Sequence, residues 1–260
     1  MERVLTEHGS KSFKKIILIL NNHLSLNIAS LKSQNKRDTC VLFVETFDQF
    51  SDINHHKKKL VFFMSAMRHF AEELKTNGWY VKYQFLENVQ NSQVLETEIK
   101  RVIRQTCASD LITVEANSWQ LQQRILSIET DCGVKVTVLN DDRFICSNID
   151  FLDWSKDRKS LRLEFFYRYM RLKTGLLMNH DKPIGGKWNY DAENRKRFSH
   201  QVPVKGPKKF SPDKITRTVI NLVKRKFDSH FGDLDPFWFA TSRQEATESF
   251  EFFIAHSLKY

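Results

Sequence analysis

Residues 14–25 read KKIILILNNHLS, a short apolar run that ends in polar residues. Such a run is typical of a buried β-strand followed by the loop at its carboxyl end. Four more short runs of this kind occur before residue 140; they read CVLFVE, WYVKYQFL, LITVEA and VKVTVL, at 40–45, 79–86, 111–116 and 134–139. The sequence therefore predicts five strands.

The stretches between these strands have the apolar spacing of helices. After the second strand, Leu60, Phe63 and Leu74 fall on one predicted helix face, Arg68 lies off it, and Gly78 is placed to end the helix. Helical spacing also follows the third and fourth strands, at Leu95, Ile99, Val102, Leu121, Ile125 and Ile128. Strands that alternate with helices predict right-handed crossovers, and hence an α/β fold with a doubly wound, parallel, five-stranded sheet.

Composition indicates a folded protein of the cytoplasm. The 260 residues, 41% of them hydrophobic, can bury one large core or a core plus a smaller unit. No apolar run approaches the ~20 residues of a membrane span, and IILIL is too short for a signal peptide. The four cysteines are scattered, which argues against a zinc or self-contained iron–sulfur site and favours reduced thiols: Cys40, Cys107, Cys132 and Cys146.

A ligand site is expected at one edge of the predicted sheet. Doubly wound sheets bind ligands beyond the carboxyl ends of their strands, which directs attention to residues 21–25 and 45–49. The sequence contains neither GxGxxG nor GxxxxGK[ST], so a standard dinucleotide or P-loop site is unsupported.

Positive charge is concentrated in the second part of the chain. Residues 1–150 hold 19 Lys and Arg against 18 Asp and Glu, whereas residues 151–260 hold 22 against 13. Within this basic part, residues 183–198 read PIGGKWNYDAENRKRF. Basic residues interleaved with Trp and Tyr suit a nucleic acid, whose phosphates attract cations and whose bases stack on rings. Composition alone leaves a solvated basic face equally open.

The pattern after residue 140 is mostly helical. A basic, aromatic-rich helix is predicted within 158–178, Ser211 is placed as the N-cap of another helix, and a third helix is predicted from about Ser242. The last helix carries Phe250 and Phe253 on one side, and no later segment of the sequence can cover them. From this pattern we expect the chain to be truncated.

Four blocks, taken in order, resemble the deoxyribodipyrimidine photolyase-related proteins, the iron–sulfur bacterial cryptochromes and (6-4) photolyases. They are HHKKKLVFFMSAMRHFAEEL, RKSLRLEFFYRYMRLKTGLLM, PIGGKWNYDAENRK and FSPDKITRTVI. The resemblance implies an N-terminal α/β antenna domain that binds 6,7-dimethyl-8-ribityllumazine, a linker, and a helical half that binds FAD and a [4Fe–4S] cluster. It implies this division of the chain: a flexible N-terminus at 1–15, the antenna-type domain at 16–145, the basic linker at 146–212, and the start of a truncated helical domain at 213–260.

The resemblance also implies a function. Family members repair DNA by light-driven electron transfer from reduced FAD to a damaged pyrimidine pair, or sense blue light. FAD and the cluster are expected outside this chain, so no catalytic residue is assigned and the chain alone is expected to be inactive in repair. The expected partners are DNA and a separate C-terminal FAD-binding half, without a membrane. Two alternatives stay open: a nonenzymatic DNA-binding or docking module, and an α/β protein for a nucleotide-like ligand, unrelated to repair.

Site residues follow from the resemblance position by position. Asn22 and Gln49 stand where the family carries an Asp and a Glu that hold the lumazine, and Phe63 stands where a smaller aliphatic residue is common. Phe63 can instead belong to the core. Charge-assisted hydrogen bonds are about twice as strong as neutral ones, so a weakened or lost antenna site is expected.

The glycine-containing loop, residues 183–198, is expected to contact damaged DNA or the helical half. Asp191 matches a position linked to Mg²⁺ in the family. The DNA-contact candidates are Lys187, Trp188, Arg195 and Lys196, with Arg158 and Lys159 as a weaker set. Trp188 can stack on a base or anchor the loop to the protein.

Overall fold

The computed structural model describes residues 12–51, 53–192 and 205–258. Its main sheet has five parallel strands in the order β3-β2-β1-β4-β5. They are β1 (Lys15–Leu18), β2 (Thr39–Val44), β3 (Tyr80–Gln84), β4 (Asp110–Val114) and β5 (Lys135–Leu139). The strand order turns back between β1 and β4, which confirms the predicted doubly wound α/β fold.

Helices cover both faces of the sheet. They are α1 (Ala29–Lys32), α2 (Phe47–Ser51), α3 (Lys57–Thr76), α4 (Leu95–Thr106) and α5 (Trp119–Cys132). Because successive strand residues point to opposite faces, Ile17 and Val41 pack in the core cluster of α3, while Ile16 and Leu18 pack in that of α4 and α5. The apolar runs are continuous because both faces of these strands are buried.

Helix α3 follows the prediction except at one residue. The His56 side chain caps its start by accepting a hydrogen bond from the Lys58 N–H (3.0 Å), and Gly78, at φ +81°, follows its end. Arg68, predicted to lie off the apolar face, is only 7% exposed. That prediction was wrong because Arg68 has a buried acidic partner, described below.

Two later helices belong to the same compact unit as the sheet, whose described residues are 12–51, 53–141 and 205–258. Helix α8 (Lys214–Lys226) packs on α3, with Val219 and Val223 in its core cluster. Its N-cap is Asp213 rather than the predicted Ser211, because the Asp213 carboxylate accepts from the Thr216 N–H (2.8 Å) and also bonds the His69 ring on α3 (3.0 Å).

The last helix, α9 (Arg243–His256), begins where the sequence predicted. Ser242 and Glu245 form a capping box at its start. Phe250 is 62% exposed and Phe253 49%, so the apolar side of α9 lies open among the described residues.

Residues 142–192 form a second compact unit. It contains α6 (Asn148–Ser155), α7 (Leu163–Thr174) and a small antiparallel hairpin of β6 (Met178–Asn179) and β7 (Lys182–Pro183). The domain boundaries drawn from the sequence stay predictions. No helix in the described part of the chain is both long and apolar enough to cross a membrane.

Candidate functional site

A cleft of about 470 Å³ opens at the carboxyl end of the sheet, where the strand order turns back. Doubly wound sheets place their ligands at this switch point. The loops after β1, β2 and β4 meet there with the first turns of α3 and α5. Their lining residues include Asn22, Asp48, Gln49, His55, Lys59, Phe63, Asn117, Ser118 and Arg124.

The three residues predicted for an antenna ligand lie in this one cleft. Asn22 and Gln49 are half-buried in its wall. Phe63 is half-buried between this cleft and a neighbouring one of about 560 Å³, and packs against the α3 core cluster. The Lys59 ammonium lies 5.5 Å from the centre of the Phe63 ring. Phe63 is therefore both a core-flanking residue and a wall of the cleft.

A buried histidine fixes the loop after β1. The His23 Nδ1 accepts from the Leu20 N–H (3.4 Å), and its Nε2 lies 3.2 Å from the Glu115 carbonyl oxygen at the end of β4. With Nδ1 as acceptor, the proton sits on Nε2 and is donated to that carbonyl. His23 thus holds Asn22 in place from the neighbouring strand end, a role that the sequence analysis did not assign.

Glu45 lies in the region where the sequence predicted ligand contacts, but its side chain is bonded to other protein groups. Its carboxylate is fully buried and accepts four hydrogen bonds: from Arg68 Nε (2.8 Å) and Nη2 (2.7 Å), the Tyr83 hydroxyl (2.6 Å) and the Leu86 N–H (3.2 Å). Burial acts to lower the pKa of Arg68, but bonding to Glu45 outweighs it and the pKa is raised. Burial and the Glu45 charge raise the pKa of Tyr83. Glu45 has no acceptor capacity to spare for a ligand.

Asp48 and Arg124 face the cleft and were missed by the sequence analysis. The Asp48 Oδ2 accepts from the Leu95 N–H at the start of α4 (3.2 Å) and pairs with Arg124. The Arg124 Nη2 also bonds Glu96 Oε2 (2.7 Å). The other oxygen of Asp48, Oδ1, is buried and has no hydrogen-bond partner among the described residues. No local motif marks this trio, because its members come from three separate segments.

The glycine-containing loop belongs to the second compact unit, and the strand-end cleft belongs to the first. Gly185 and Gly186 have φ of +81° and +75°. The Tyr190 hydroxyl donates to the Gly185 carbonyl (3.2 Å), and a Cβ on Gly185 would lie 2.2 Å from the Tyr190 oxygen. Any larger residue at 185 would clash with the ring that closes this turn. Lys187, next in the chain, is exposed.

Trp188 ties the loop to α7. Its ring centre lies 5.4 Å from the Arg168 guanidinium and 5.5 Å from that of Arg171. The buried Arg171 also donates to the Trp188 carbonyl (3.3 Å). Asn189 donates to Glu164 (2.9 Å), and this bond, with one from Arg168, lowers the pKa of Glu164. Of the two roles predicted for Trp188, these contacts favour the anchor.

The other predicted contacts in this unit are dispersed. Arg158 donates to the Trp154 carbonyl (2.8 Å) and lies over its ring, and Lys159 is exposed. Asp191 lines a cleft of about 580 Å³ between α7 and the loop. Arg195 and Lys196 lie outside the described residues.

Comparison with known proteins identifies the family. Residues 17–239 match the profile of the family described as deoxyribodipyrimidine photo-lyase-related protein. The chain belongs to this family. It is 39% identical over 240 residues to a (6-4) photolyase of Agrobacterium fabrum, a match that covers 92% of this chain and 47% of that protein. The chain thus spans about half the length of that photolyase-related relative.

Two further similarities are more distant. An uncharacterized protein of Acanthamoeba polyphaga mimivirus, R852, is 25% identical over 197 residues, which cover 73% of this chain and 97% of the viral protein. The crystal structure of a bacterial class III photolyase from Agrobacterium tumefaciens superposes with a TM-score of 0.37 and 10% identity, over 54% of this chain and 27% of that one.

Family membership indicates a flavin or related chromophore, and the cleft of this photolyase-related chain has the volume of a small-molecule pocket. Ligand pockets range from ~300 to 1,000 Å³, and the cleft lies within that range. In the described part of the chain, no group of three or more His, Cys, Asp or Glu side chains is arranged to hold a metal ion. Mg²⁺ at Asp191 stays a prediction, since residues 193–204 are not described.

Proposed function

We propose that this chain forms the chromophore-binding and DNA-facing part of a photolyase-related protein that acts in light-driven DNA repair or blue-light sensing. The observation that carries the proposal is the 39% identity to a (6-4) photolyase over 92% of the chain. Family membership argues against an α/β protein unrelated to photolyases. The flavin supplies the electron-transfer chemistry in such enzymes, so we assign this chain binding and positioning roles and no catalytic residue.

The cleft at the strand ends is the proposed antenna site. Asn22 and Gln49 would hold the polar edge of 6,7-dimethyl-8-ribityllumazine through their amides, and Phe63 would border its ring. Without the two family carboxylates, the binding is proposed to be weak, because neutral acceptors make weaker bonds than charged ones. FAD and a [4Fe–4S] cluster are assigned to the helical half of the family, and we propose that this chain contacts that half in the cytoplasm.

Lumazine titration tests the antenna site. We expect the purified chain to bind lumazine weakly, and Asn22→Asp with Gln49→Glu to bind it more tightly. Fluorescence and absorbance of the chromophore give the affinity. Wild-type protein that keeps lumazine through purification would contradict the proposed weakening.

The glycine-containing loop is the proposed DNA contact. Lys187 is exposed at its tip, and we group Arg195 and Lys196 with it, and Arg158 and Lys159 as weaker contacts. Contacts to phosphates carry no sequence information and make the affinity fall with salt, with a slope of ~0.9 per contact.

A salt titration of DNA binding tests this assignment. Replacing Lys187 and Arg195 with Ala should weaken binding to all sequences alike and flatten the salt slope by up to about two units. Lys135→Ala is the matched control, because this exposed lysine begins β5 and lies outside residues 151–260, which hold the basic excess. Unchanged affinity and slope in the loop variant would point instead to a docking role for the loop.

A further inference from the structure

Helix α8 carries positive charge along its exposed side with no acid to balance it. Its 13 residues, KITRTVINLVKRK, include five Lys and Arg and no Asp or Glu. Four of the cations are exposed and fall within an arc of about 100° on the side of the helix opposite α3. We call them the α8 stripe: Lys214, Arg217, Lys224 and Arg225.

No residue of the α8 stripe forms an ion pair within the described part of the chain. Of the nearby acids, Asp213 caps the helix and bonds the His69 ring. Glu72 on α3 pairs with Lys75 (2.7 Å), and Asp228 follows the helix end without pairing with the stripe. Exposed helices usually balance such cations with acids three or four residues away, because like charges at that spacing repel. The stripe is therefore available to an external anion.

The helix dipole accounts for only half of the stripe. Lys224 and Arg225 lie in the last turn of α8, where cations are favourable because the dipole is negative there. Lys214 and Arg217 lie among the first four residues, at the positive end, where the dipole opposes cations. The stability of the helix therefore gives no reason for Lys214 and Arg217, whereas a bound anion does.

The length and polarity of the stripe favour a nucleic-acid backbone as this anion. The stripe runs ~16 Å along the helix axis, so a single phosphate would occupy one end, whereas a strand with regularly spaced phosphates can meet both. Arg225 Nε donates to the Asn221 carbonyl (3.4 Å), which leaves its two terminal nitrogens for phosphate oxygens. An anionic membrane fits less well. Helices that bind lipid surfaces insert an apolar face, and the apolar face of α8 is buried against α3.

We infer that the α8 stripe is a second nucleic-acid contact, on the first compact unit, and that it binds the phosphate backbone without reading the base sequence. The choice of DNA as the polyanion rests on the proposed function. The contact itself is distinct from the one proposed for the loop at 183–198, because it uses other residues in another unit.

Removal of charge from the first turn of α8 tests the stripe. In the full chain, Lys214→Gln with Arg217→Gln should weaken binding to a short fluorescein-labelled DNA duplex about tenfold at low salt, measured by fluorescence anisotropy. The salt slope should flatten by up to about two units, since each lost phosphate contact removes ~0.9. The melting temperature should stay the same or rise, because the dipole opposes these two cations. A lower melting temperature with unchanged binding would mean that the two residues serve only the fold, and would overturn the inference.

Two further double variants locate the effect. Lys224→Gln with Arg225→Gln should weaken DNA binding by a similar factor but lower the melting temperature, because these cations favour the helix. Arg104→Gln with Lys135→Gln is the matched control. It removes the same charge from two exposed cations of the same unit, one in the last turn of α4 on the other face of the sheet and one at the start of β5. The control should keep its affinity within about twofold, because salt screens distant charges. Equal losses in the control and the stripe variants would mean that net charge alone sets the affinity, and that the stripe is no contact.

The outcomes separate the stripe from the loop. In the same assay, the losses from the stripe variants and from Lys187→Ala with Arg195→Ala should add. If only the loop variant loses affinity, the inference is wrong and the proposed function stands; if only the stripe variants lose it, the loop assignment is wrong. Stripe variants that keep their DNA affinity but lose binding to phosphatidylserine–phosphatidylcholine vesicles would show a membrane contact instead and overturn the inference. A wild-type chain that binds no DNA would overturn both contacts.

Discussion

Replacement of Arg68 by Met should destabilise the protein strongly. The change leaves the Glu45 carboxylate fully buried with two of its four donors, the Tyr83 hydroxyl and the Leu86 N–H. It also removes the bond from Arg68 to Glu87 (2.9 Å). Removing one partner of a buried ion pair typically costs about 3–5 kcal/mol, because the remaining charge is uncompensated. At about 2–4 °C per kcal/mol, the melting temperature should fall by roughly 6–20 °C.

Urea unfolding followed by circular dichroism measures this cost. Lys75→Met is the matched control on the same helix: Lys75 pairs with Glu72 at 2.7 Å, but both side chains are largely exposed, and such a pair is worth about 0.3–0.5 kcal/mol. In the double variant with Glu45→Gln, the charge is gone from both sides, so the cost should fall short of the sum of the single costs by about 2 kcal/mol.

A cost of Arg68→Met no larger than that of Lys75→Met, or additive costs of Arg68→Met and Glu45→Gln, would contradict a buried ion pair between Arg68 and Glu45. Either result would mean that water reaches Glu45 in the folded state. A loss of cleft binding in Arg68→Met at a temperature where it stays folded would extend the role of the pair, because Glu45 begins the segment that carries Asp48 and Gln49.

Three further predictions concern other parts of the chain. Trp188→Ala should lower stability by about 1–2 kcal/mol through lost contacts with two guanidiniums, whereas Trp119→Ala, at a 76% exposed position, should cost little in a thermal melt. Gly232→Ala should cost more than the roughly 1–2 kcal/mol expected for Gly78→Ala: both glycines have positive φ, but a Cβ at 232 would lie 2.1 Å from the His56 ring. Cys107 should be alkylated first near neutral pH and Cys40 only after unfolding, as mass spectrometry can show, because burial raises the pKa of Cys40 to about 12.

The five strands could be predicted because apolar runs of strand length report burial directly. The N-cap of α8 shows where that reasoning ends. Ser211 and Asp213 are both good N-cap residues by type. The structure selects Asp213, whose carboxylate also bonds His69, 144 residues away in the sequence. The packing of α8 on α3 decides between Ser211 and Asp213 as the N-cap. The local sequence around α8 does not contain that information.

Arg68 and Arg124 illustrate the same limit for the site. Each stands on a helix where a basic residue usually faces water, and each finds an acidic partner from a distant loop or strand end: Glu45 for Arg68 and Asp48 for Arg124. The position of the cleft could be predicted, because topology alone places it. The charged residues that shape it could not, since their pairing depends on side chains brought together from separate segments.

The charge of the cleft limits what restoring the family's acids can do. Asn22→Asp and Gln49→Glu would add two carboxylates to a cleft that already holds Asp48. Carboxylates that share a site repel one another, so one of them takes up a proton and loses its strength as an acceptor. The nearby cations offset this only in part, because Arg124 is already paired with Asp48 and Glu96. Asn22→Asp with Gln49→Glu should therefore still tighten lumazine binding, but by less than two fully charged acceptors would.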